Sequence, residues 1–578
     1  MFRSRRCLLV FALAALVAGA LVAVLVLQPW AGRDQIRYRR AAVAANGYEC
    51  ASIGREILER NGSAVDAAIA TLFCEGIGCA QCMGLGGGFL ATIYDASTGR
   101  VRVLNARERA PAATHEDMFA NASSTIGGLA MAVPGELRGY GALYREFGRL
   151  PWAELVRPTA DLCRRGHRVS EYMGRVLKTY SSNIQAEPSM SELYVNPETG
   201  EVWNEGDMIR EPTLARTLDV IAEEGPEAIH NGSLTTAFVR DIQNFGGIIT
   251  EDDLRSYQPE WQEPIAVQLS DEHTLYSVPL PGSGSVLAFM LNLMRDWIGT
   301  GTNVTMDTNL YWHRVVETFK YAYAKRTGLG DPSRSNSNLP YDIKELERNL
   351  SDAAWARSYR ALIDDTRTFS DWSHYGALFE GADDHGTAQV VVIAPDGSAV
   401  SVTSTINYIW GAQRRSTSLG IMLNNEMDDF AIPNRESAYG MPPSPANMLA
   451  PGLQPLSSMV PTVVLSRNRT VDLVIGAAGG TKITTQVALV TMHTILEGGG
   501  LHEVIQRPRL HHQLLPMEIE HESDFDPSIV SSLRARGHAT TERGPTAGFA
   551  AMNGAMRESD GYLVAKTDKR RIGSVDGF

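Results

Sequence analysis

One stretch near the middle of the chain restricts the fold more than any other, because it has the pattern of two strands joined by a tight turn. Apolar, β-branched runs cover Val390–Ile393 and Ala399–Thr403, and a Pro-Asp-Gly turn centred on Asp396 separates them. This turn chemistry between two such runs predicts a β-hairpin. If the turn is centred on Asp396, residues that lie equally far before and after Asp396 face each other across the hairpin, so Thr387 faces Thr405. A slip of one residue would change that pairing.

Thr387 follows a glycine, Gly386, at the mouth of the first strand. Cutting the bond between them would leave a hydroxyl and a free α-amine on one residue. A threonine hydroxyl attacks poorly until a base removes its proton, and an α-amine with its ordinary pKa of about 7.7–8.0 can be that base. Threonine is also a common strand residue. This spacing alone therefore makes Thr387 a candidate nucleophile and no more.

Three other stretches carry groups that such chemistry would need. Arg107 ends a predicted strand, and a guanidinium can bind a carboxylate through two hydrogen bonds. The acidic segment 426–429 is typical of a solvated turn, but its carboxylates could also hold an ammonium group or a metal. The glycine-rich turn 476–480 precedes a predicted helix, so it can present backbone N–H groups to an oxyanion.

Two motifs resemble those of the γ-glutamyltransferases, also called glutathione hydrolases: the run from Gly386 through Thr405-Ile406-Asn407, and Leu423-Asn424-Asn425-Glu426-Met427-Asp428-Asp429-Phe430. The resemblance extends from Ala41 to the C-terminus. It implies the α+β fold of the N-terminal-nucleophile hydrolases, a four-layer αββα sandwich with two antiparallel sheets between helical layers. It also implies self-cleavage before Thr387. Residues 41–386 would become a large subunit and residues 387–578 a small catalytic one, and the two would stay together as a heterodimer.

The resemblance also implies a set of site residues that works without a metal or a cofactor. Thr387 would be the nucleophile, with its own α-amine as base, and Thr405 would orient it. Gly479 and Gly480 would form the oxyanion hole. The charged head of the substrate would be held by Arg107, Ser457 and Ser458 at its α-carboxylate, and by Asn407, Glu426 and Asp429 at its α-ammonium.

The implied substrates are glutathione and its γ-glutamyl conjugates. Thr387 Oγ would take the γ-glutamyl group as an ester and pass it to water or to an amino-acid or dipeptide acceptor. Two alternatives stay open: a catalytically silent, unprocessed relative that serves as a binding or scaffold ectodomain, and an enzyme for another acyl amide, such as a cephalosporin-type one. The chain departs from the family pattern at Gln389 and Val391, where histidine and serine are frequent. Unlike histidine, a glutamine side chain cannot take up a proton at neutral pH, so the departure at Gln389 bears on the efficiency of self-processing.

The N-terminus predicts a membrane anchor. An uninterrupted apolar run covers residues 7–27, and three arginines precede it. The run is long enough for a transmembrane helix, and the positive-inside rule leaves residues 1–6 in the cytoplasm. Residues 28–40 are then a connector, and the remainder is an extracellular ectodomain of a single-pass type II protein of the cell membrane. A cleaved signal peptide is the competing interpretation, although its apolar region is normally about 7–15 residues long.

An extracellular location gives meaning to the cysteines and to the acceptor sequons. The resemblance implies a disulfide between Cys50 and Cys74, with two buried thiols as the alternative, and leaves the pairing of Cys79, Cys82 and Cys163 open. Glycosylation is predicted at Asn61, Asn121, Asn231, Asn303, Asn349 and Asn468. The net charge of −13 includes no basic block, which argues against nucleic-acid partners, because phosphate contacts need clustered lysine and arginine.

Overall fold

The computed structural model describes residues 36–298, 309–334, 339–379, 386–433, 441–544 and 548–578. The predicted cytoplasmic tail, membrane anchor and most of the connector lie outside these ranges, as does the sequon at Asn303. Within the ranges, no helix combines the length and the apolar character needed to cross a bilayer. Among the other sequons, Asn349 is half-buried, and the exposed ones are Asn61, Asn121, Asn231 and Asn468.

The strands are numbered along the described chain. Before residue 386 they are β1 Arg37–Tyr38, β2 Ala42–Ala45, β3 Gly88–Asp95, β4 Arg100–Ala106, β5 His167–Arg168, β6 Met208–Ile209, β7 Glu260–Gln262, β8 Ile265–Gln268 and β9 His273–Ser277. After it they are β10 Ala388–Ile393, β11 Ala399–Thr405, β12 Thr462–Ser466, β13 Val471–Ala478, β14 Leu510–His511, β15 Ile519–Glu522, β16 Thr540–Arg543, β17 Ala551–Arg557, β18 Leu563–Thr567 and β19 Ser574–Gly577.

Most of these strands form two seven-stranded antiparallel sheets. The sheet with the predicted hairpin, called here the hairpin sheet, has the order β19-β2-β10-β11-β3-β4-β7. The other, called the partner sheet, has the order β1-β18-β17-β13-β12-β9-β8. Each sheet combines strands from both sides of residue 386. The two predicted subunits are therefore interlaced in one body.

Helices flank the two sheets. In chain order they are α1 Cys50–Glu59, α2 Ala64–Gly78, α3 Glu136–Phe147, α4 Trp152–Arg165, α5 Glu171–Thr179, α6 Ser181–Ala186, α7 Pro188–Tyr194, α8 Pro212–Glu224, α9 Ala228–Asn231, α10 Thr235–Asn244, α11 Glu251–Ser256, α12 Gly284–Ile298, α13 Asn309–Arg326, α14 Ile343–Ser351, α15 Ala353–Ser358, α16 Lys482–Thr491, α17 Leu501–Gln506 and α18 Pro527–Ala535. Glu426–Asp429 forms a short 3-10 helix.

The layers follow from side chains that are buried on both faces of the central strands. Helices α1–α3 pack against the hairpin sheet, and α12, α16 and α17 pack against the partner sheet. In β10, Val390 and Val392 join the core under the first helical layer, whereas Val391 and Ile393 join the core between the sheets. A strand buried on both faces has a continuous apolar run as its sequence, which explains the composition of β10. The predicted αββα layering is confirmed for the described residues.

The hairpin has the register that its turn predicts. Ala388 pairs with Ser404 and Ile393 with Ala399, each pair equally distant from Asp396. Gly397 in the turn has a φ of 86°, a left-handed conformation that glycine adopts at no steric cost. The prediction is confirmed, and it brings Thr387 and Thr405 to the open end of the hairpin.

Helix α2 begins at a capping box, and a disulfide joins it to α1. Ser63 caps α2: its Oγ accepts a 2.9 Å hydrogen bond from the Asp66 N–H, while the Asp66 carboxylate accepts one from the Ser63 N–H at 2.9 Å, a reciprocal capping box. Cys50 at the start of α1 is bonded to Cys74 in the last part of α2. The other described cysteines are buried thiols: Cys79, Cys82 and Cys163.

Candidate active site

The predicted nucleophile lies immediately before β10, where the hairpin opens. Thr387 is 3% exposed, and its Oγ1 donates a 2.5 Å hydrogen bond to the carbonyl oxygen of Gly386. Thr405 Oγ1 donates to the same oxygen, also at 2.5 Å, and accepts from the Asn407 N–H at 2.8 Å. Two hydroxyls therefore converge on the carbonyl of the bond that self-cleavage would break.

Gly386 occupies a position without room for a side chain. A Cβ atom there would lie 2.2 Å from the carbonyl oxygen of Asn407. Asn407 has a φ of 69°, a left-handed conformation that asparagine tolerates better than most residues. The close approach holds the Gly386–Thr387 bond against the turn that follows β11, so packing requires glycine before Thr387.

Arg571, which sequence reasoning did not single out, holds the main chain of Thr387. Its Nη1 donates to the Thr387 carbonyl oxygen at 2.6 Å, and its Nη2 donates to the Tyr172 hydroxyl at 3.0 Å. The guanidinium lies 4.1 Å from the centre of the Tyr172 ring, a cation–π distance. In the sequence, Arg571 ends the basic run Lys569–Arg571, which is typical of a solvated surface and carries no local sign of a buried role.

Arg107 contacts both acidic residues that the resemblance assigns to the α-ammonium of a substrate. Its Nη1 lies 2.6 Å from Glu426 Oε1, and its Nη2 lies 2.6 Å from Asp429 Oδ2, with all three side chains at most 1% exposed. Its Nε donates to the carbonyl oxygen of Pro455 at 2.8 Å. Charges this deeply buried need such partners. The residues were predicted, but their mutual contact was not.

The other predicted substrate ligands lie close to this charged cluster. Ser457 and Ser458 directly follow the segment whose carbonyl groups bind Arg107, and Ser458 Oγ accepts from Arg326 Nη2 at 2.9 Å. Asn407 Oδ1 is buried and has no hydrogen-bond partner among the described residues. An amide oxygen with free acceptor capacity is suited to an ammonium group.

The predicted oxyanion glycines follow β13. The Ser401 hydroxyl, deep in the hairpin, donates to the Ile475 carbonyl oxygen at 2.9 Å. Gly476 packs against the side chain of Gln389, which is nearer the open end. Strand β13 therefore runs toward the end of the hairpin that carries the nucleophile. Gly479–Gly480 come next, with φ angles of 143° and 62°, in a turn whose backbone conformation favours glycine.

Gln389, where the family pattern has histidine, lies between the two sheets. Its Nε2 donates to Ser401 Oγ at 2.9 Å, and its Oε1 accepts from Thr403 Oγ1 at 2.5 Å. Its main-chain carbonyl accepts from Asn553 Nδ2 at 2.6 Å. Val391, the other departure, belongs to the apolar core between the sheets. Both residues contribute to the packing of the two sheets, and the Gln389 amide is bonded within its own hairpin.

One group of described side chains has metal-ligand chemistry: His313, Glu317 and His538. His313 Nδ1 and His538 Nε2 share a 2.8 Å hydrogen bond, and Lys320 Nζ lies 3.4 Å from Glu317 Oε1. The cluster thus contains a cation and its own hydrogen bonds. We assign it no ligand.

Three buried carboxyl groups lie near the site, and burial raises the pKa of each to about 8: Glu75, Glu108 and Glu136. Glu136 begins α3 and accepts hydrogen bonds from the Tyr140 hydroxyl at 2.5 Å and from Ser404 Oγ at 3.0 Å. Ser404 precedes Thr405 in β11. The raised pKa values favour the protonated form of these groups in the folded protein at neutral pH.

We expect these carboxyl groups to make the folded protein less stable as pH rises. Below about pH 4.3, which is the ordinary pKa of glutamate, both the folded and the unfolded chain hold the proton. Between that pH and about pH 8, only the folded chain holds it. The free energy of unfolding then falls by roughly 1.4 kcal/mol per pH unit for each group. In urea unfolding between pH 5 and pH 8, Glu136→Gln should reduce the slope of the free energy of unfolding against pH by the share of one group. Glu56→Gln, on the exposed face of α1, should keep the wild-type slope. Equal slopes for both variants would contradict the assignment.

The chain is similar to known proteins along almost its whole length. The family described as Gamma-glutamyltranspeptidase matches residues 50–578. Scoloptoxin SSD14 of Scolopendra dehaani is 40% identical over 544 residues, covering 93% of this chain and 92% of that protein. The Glutathione hydrolase 5 proenzyme of Mus musculus is 36% identical over 553 residues, covering 94% and 93%. Among solved structures, cephalosporin acylase from Bacillus halodurans has a TM-score of 0.79 at 23% identity, covering 94% of this chain and 97% of that one; this likeness supports the fold alone. By its sequence and its fold, the chain belongs to the gamma-glutamyltranspeptidase family.

Proposed function

We propose that this protein is a γ-glutamyltransferase with glutathione hydrolase activity, which activates itself by cutting the bond between Gly386 and Thr387. The observation that carries the proposal is the convergence of the Thr387 and Thr405 hydroxyls on the Gly386 carbonyl oxygen, each at 2.5 Å. A relative called a glutathione hydrolase proenzyme supports both the substrate and the processing.

Self-cleavage would use the same atoms as catalysis. Thr387 Oγ attacks the carbonyl carbon of Gly386, and the hydrogen bond from Thr405 stabilises the negative charge that develops on the oxygen. The C–N bond breaks, and the nitrogen of Thr387 takes up a proton and becomes an amine, leaving Gly386 as an ester on Thr387 Oγ. Water hydrolyses this ester to a carboxylate and a free hydroxyl. The cut thereby creates the α-amine that serves as base in every later turnover.

The mature site would transfer an acyl group in two steps. The α-amine of Thr387 takes the hydroxyl proton as Oγ attacks the γ-amide of glutathione or a conjugate, and the leaving amine departs with a proton. The resulting γ-glutamyl ester is then attacked by water, which releases glutamate, or by an amino-acid or dipeptide amine, which gives a new γ-glutamyl amide. The backbone N–H groups at Gly479–Gly480 are suited to the oxyanion of both steps.

The buried charges favour a zwitterionic substrate head. Arg107 contacts Glu426 and Asp429 at 2.6 Å. A γ-glutamyl group brings one carboxylate for the arginine and one ammonium for the two acids and for Asn407 Oδ1. The exchange leaves every buried charge with an opposite partner, whereas a substrate that brings only a carboxylate would take Arg107 from the two acids and leave them without a cation. The same requirement disfavours amides that lack the α-amino acid head.

We also propose that residues 7–27 anchor the protein in the cell membrane, with residues 41–386 and 387–578 as the two subunits of an extracellular heterodimer. The disulfide between Cys50 and Cys74 supports an oxidising compartment. The interlaced sheets support lasting association of the subunits. N-glycans are proposed at the exposed sequons Asn61, Asn121, Asn231 and Asn468.

The direct test is to express the full-length chain in eukaryotic cells and to resolve it on a denaturing gel. We expect two fragments, with Thr387 at the N-terminus of the smaller one by end-sequencing. The same preparation should release the anilide from a γ-glutamyl anilide, and faster when a dipeptide acceptor is added. A cephalosporin-type amide without the α-amino acid head is the matched control and should not be hydrolysed.

A single uncut band together with no anilide release would refute the proposal and favour the silent scaffold. Hydrolysis of the cephalosporin-type amide in preference to the γ-glutamyl anilide would retain the nucleophile but refute the substrate.

A further inference from the structure

Helix α13 ends in a buried arginine, Arg326, which has no role in the reaction above. Arg326 is 2% exposed, and its Nη2 donates to Ser458 Oγ at 2.9 Å. Its Nε lies 3.4 Å from Ser283 Oγ, and the Ser283 hydroxyl donates to the Ser457 carbonyl oxygen at 2.6 Å. The guanidinium therefore reaches both serines that the resemblance assigns to the α-carboxylate of the substrate, one directly and one through Ser283.

The segment that carries these serines is held by an arginine at each end. Arg107 binds the two residues before them: its Nε donates to the Pro455 carbonyl oxygen at 2.8 Å, and its Nη2 donates to the Leu456 carbonyl oxygen at 3.3 Å. Arg326 binds the last residue of the segment through its side chain. Both arginines precede residue 386, whereas the segment follows it. The part of the chain before the cut therefore supports the serines that follow the cut.

The two serines depend on Arg326 to different degrees. The main chain of Ser457 is fixed by other groups, because its N–H donates to the Pro281 carbonyl oxygen at 2.8 Å and its carbonyl oxygen accepts from Ser283. The carbonyl oxygen of Ser458 accepts from Thr484 Oγ1 at 3.2 Å, but a contact with the carbonyl does not set the rotamer of the side chain. Arg326 contacts the Ser458 hydroxyl itself, so it determines where that hydroxyl points.

We propose that Arg326 is a positioning residue that orients the Ser458 hydroxyl toward the α-carboxylate of the substrate. This inference rests on the proposed function. A serine hydroxyl has one hydrogen and two acceptor lone pairs. Because Arg326 donates to Oγ, the hydrogen of the hydroxyl points away from the guanidinium and can be donated to a carboxylate oxygen. A charged donor also polarises the hydroxyl, which strengthens the hydrogen bond that the hydroxyl donates.

Arg326→Gln should weaken substrate binding and leave the chemical step nearly unchanged. We expect KM for the γ-glutamyl anilide to rise at least roughly 10-fold and kcat to change by less than about threefold. The reason is that the α-carboxylate is distant from the reacting amide and is bound equally in the ground state and in the transition state. Self-cleavage should continue, because the cut itself needs no substrate carboxylate. Steady-state kinetics and a denaturing gel measure the two properties.

Two further variants separate this orientation from damage to helix α13. Arg326→Lys keeps a charged donor at the end of the helix, so its KM should lie between those of the wild type and of Arg326→Gln. Arg314→Gln is the matched control on the same helix. Arg314 donates to both carboxylate oxygens of Asp365, at 2.8 and 2.6 Å, and its replacement should leave KM and kcat within about twofold of the wild type.

A double-mutant cycle with Ser458→Ala shows whether Arg326 acts through this hydroxyl. Ser458→Ala should itself raise KM roughly 10-fold. Adding Arg326→Gln or Arg326→Lys should then change KM by less than about threefold, because the hydroxyl that the guanidinium orients is already absent. Thermal unfolding and self-cleavage identify any variant that does not fold, and the lysine variant carries the cycle if the glutamine variant is one of them.

The two proposals fail in different ways. A wild type that neither cuts itself nor releases the anilide would overturn both. An active wild type whose folded Arg326 variants keep its KM would overturn the role of Arg326 alone. That role is also overturned if replacing Arg326 raises KM by the same factor with and without the Ser458 hydroxyl. An equal rise in Arg314→Gln would overturn it as well, because a disturbed helix would then explain the effect.

Discussion

The Thr387→Ala variant will remain a single uncut polypeptide and will release the anilide from a γ-glutamyl anilide at least about 10³-fold more slowly than the wild type. Both reactions depend on one oxygen atom, which alanine lacks. Thr405 cannot replace it, because its hydroxyl donates to the Gly386 carbonyl oxygen at 2.5 Å and its own nitrogen remains in a peptide bond. A denaturing gel and initial rates at saturating substrate measure the two losses.

Thr387→Ser is the control for this result. Serine keeps the hydroxyl and, after cleavage, the α-amine, so we expect both the cut and the turnover to persist at reduced rates. Within the described part of the chain, the Thr387 hydroxyl bonds to the carbonyl that precedes it. Thermal unfolding of the alanine variant should therefore stay close to that of an uncut wild-type precursor. An alanine variant that is still cut at the same bond would refute the nucleophile.

Arg107→Gln will lose both substrate binding and stability. The substitution removes the cation that Glu426 and Asp429 contact at 2.6 Å in a fully buried cluster. Removing one partner of a buried ion pair costs about 3–5 kcal/mol in the free energy of unfolding. We expect kcat/KM to fall at least roughly 30-fold, mainly through KM, because the α-carboxylate loses its charged partner. Self-cleavage should continue, since the reacting bond does not touch Arg107.

Arg109→Gln is the matched control, two residues along the same segment. Arg109 pairs with Glu260 at 2.5 Å, but their side chains are 21% and 52% exposed, and pairs of this kind contribute about 0–1 kcal/mol. Urea unfolding and steady-state kinetics should therefore show large losses for Arg107→Gln and little change for Arg109→Gln. Equal losses at both positions would contradict a buried charge cluster at Arg107.

Local chemistry explains which parts of this molecule could be predicted from its sequence. The Pro-Asp-Gly turn fixes the hairpin register, and β10 pairs as predicted down to Ala388. Ser63 and Asp66 determine the start of α2 through their capping box. Signals within one turn of the chain were sufficient for these elements.

Contacts between distant segments could not be predicted from such local signals. Arg571 reaches Thr387 across a separation of 184 residues, and a basic run gives no hint of burial. The resemblance assigned Arg107, Glu426 and Asp429 to roles toward a substrate and did not predict that they contact one another. In the structure they contact one another directly, because buried charges need opposite partners.

The interlaced sheets constrain how the mature protein can be made. Each sheet contains strands from both sides of residue 386, so neither piece has a complete sheet of its own. The intact chain folds as a single molecule, at a rate independent of concentration. If the bond is then cut as proposed, re-forming the same sheets from separated pieces becomes a second-order reaction that dilution slows, because the covalent link no longer holds the strands at a high effective concentration. Under the proposed self-cleavage, the protein therefore acquires its architecture once, as a precursor, and afterwards depends on never coming apart.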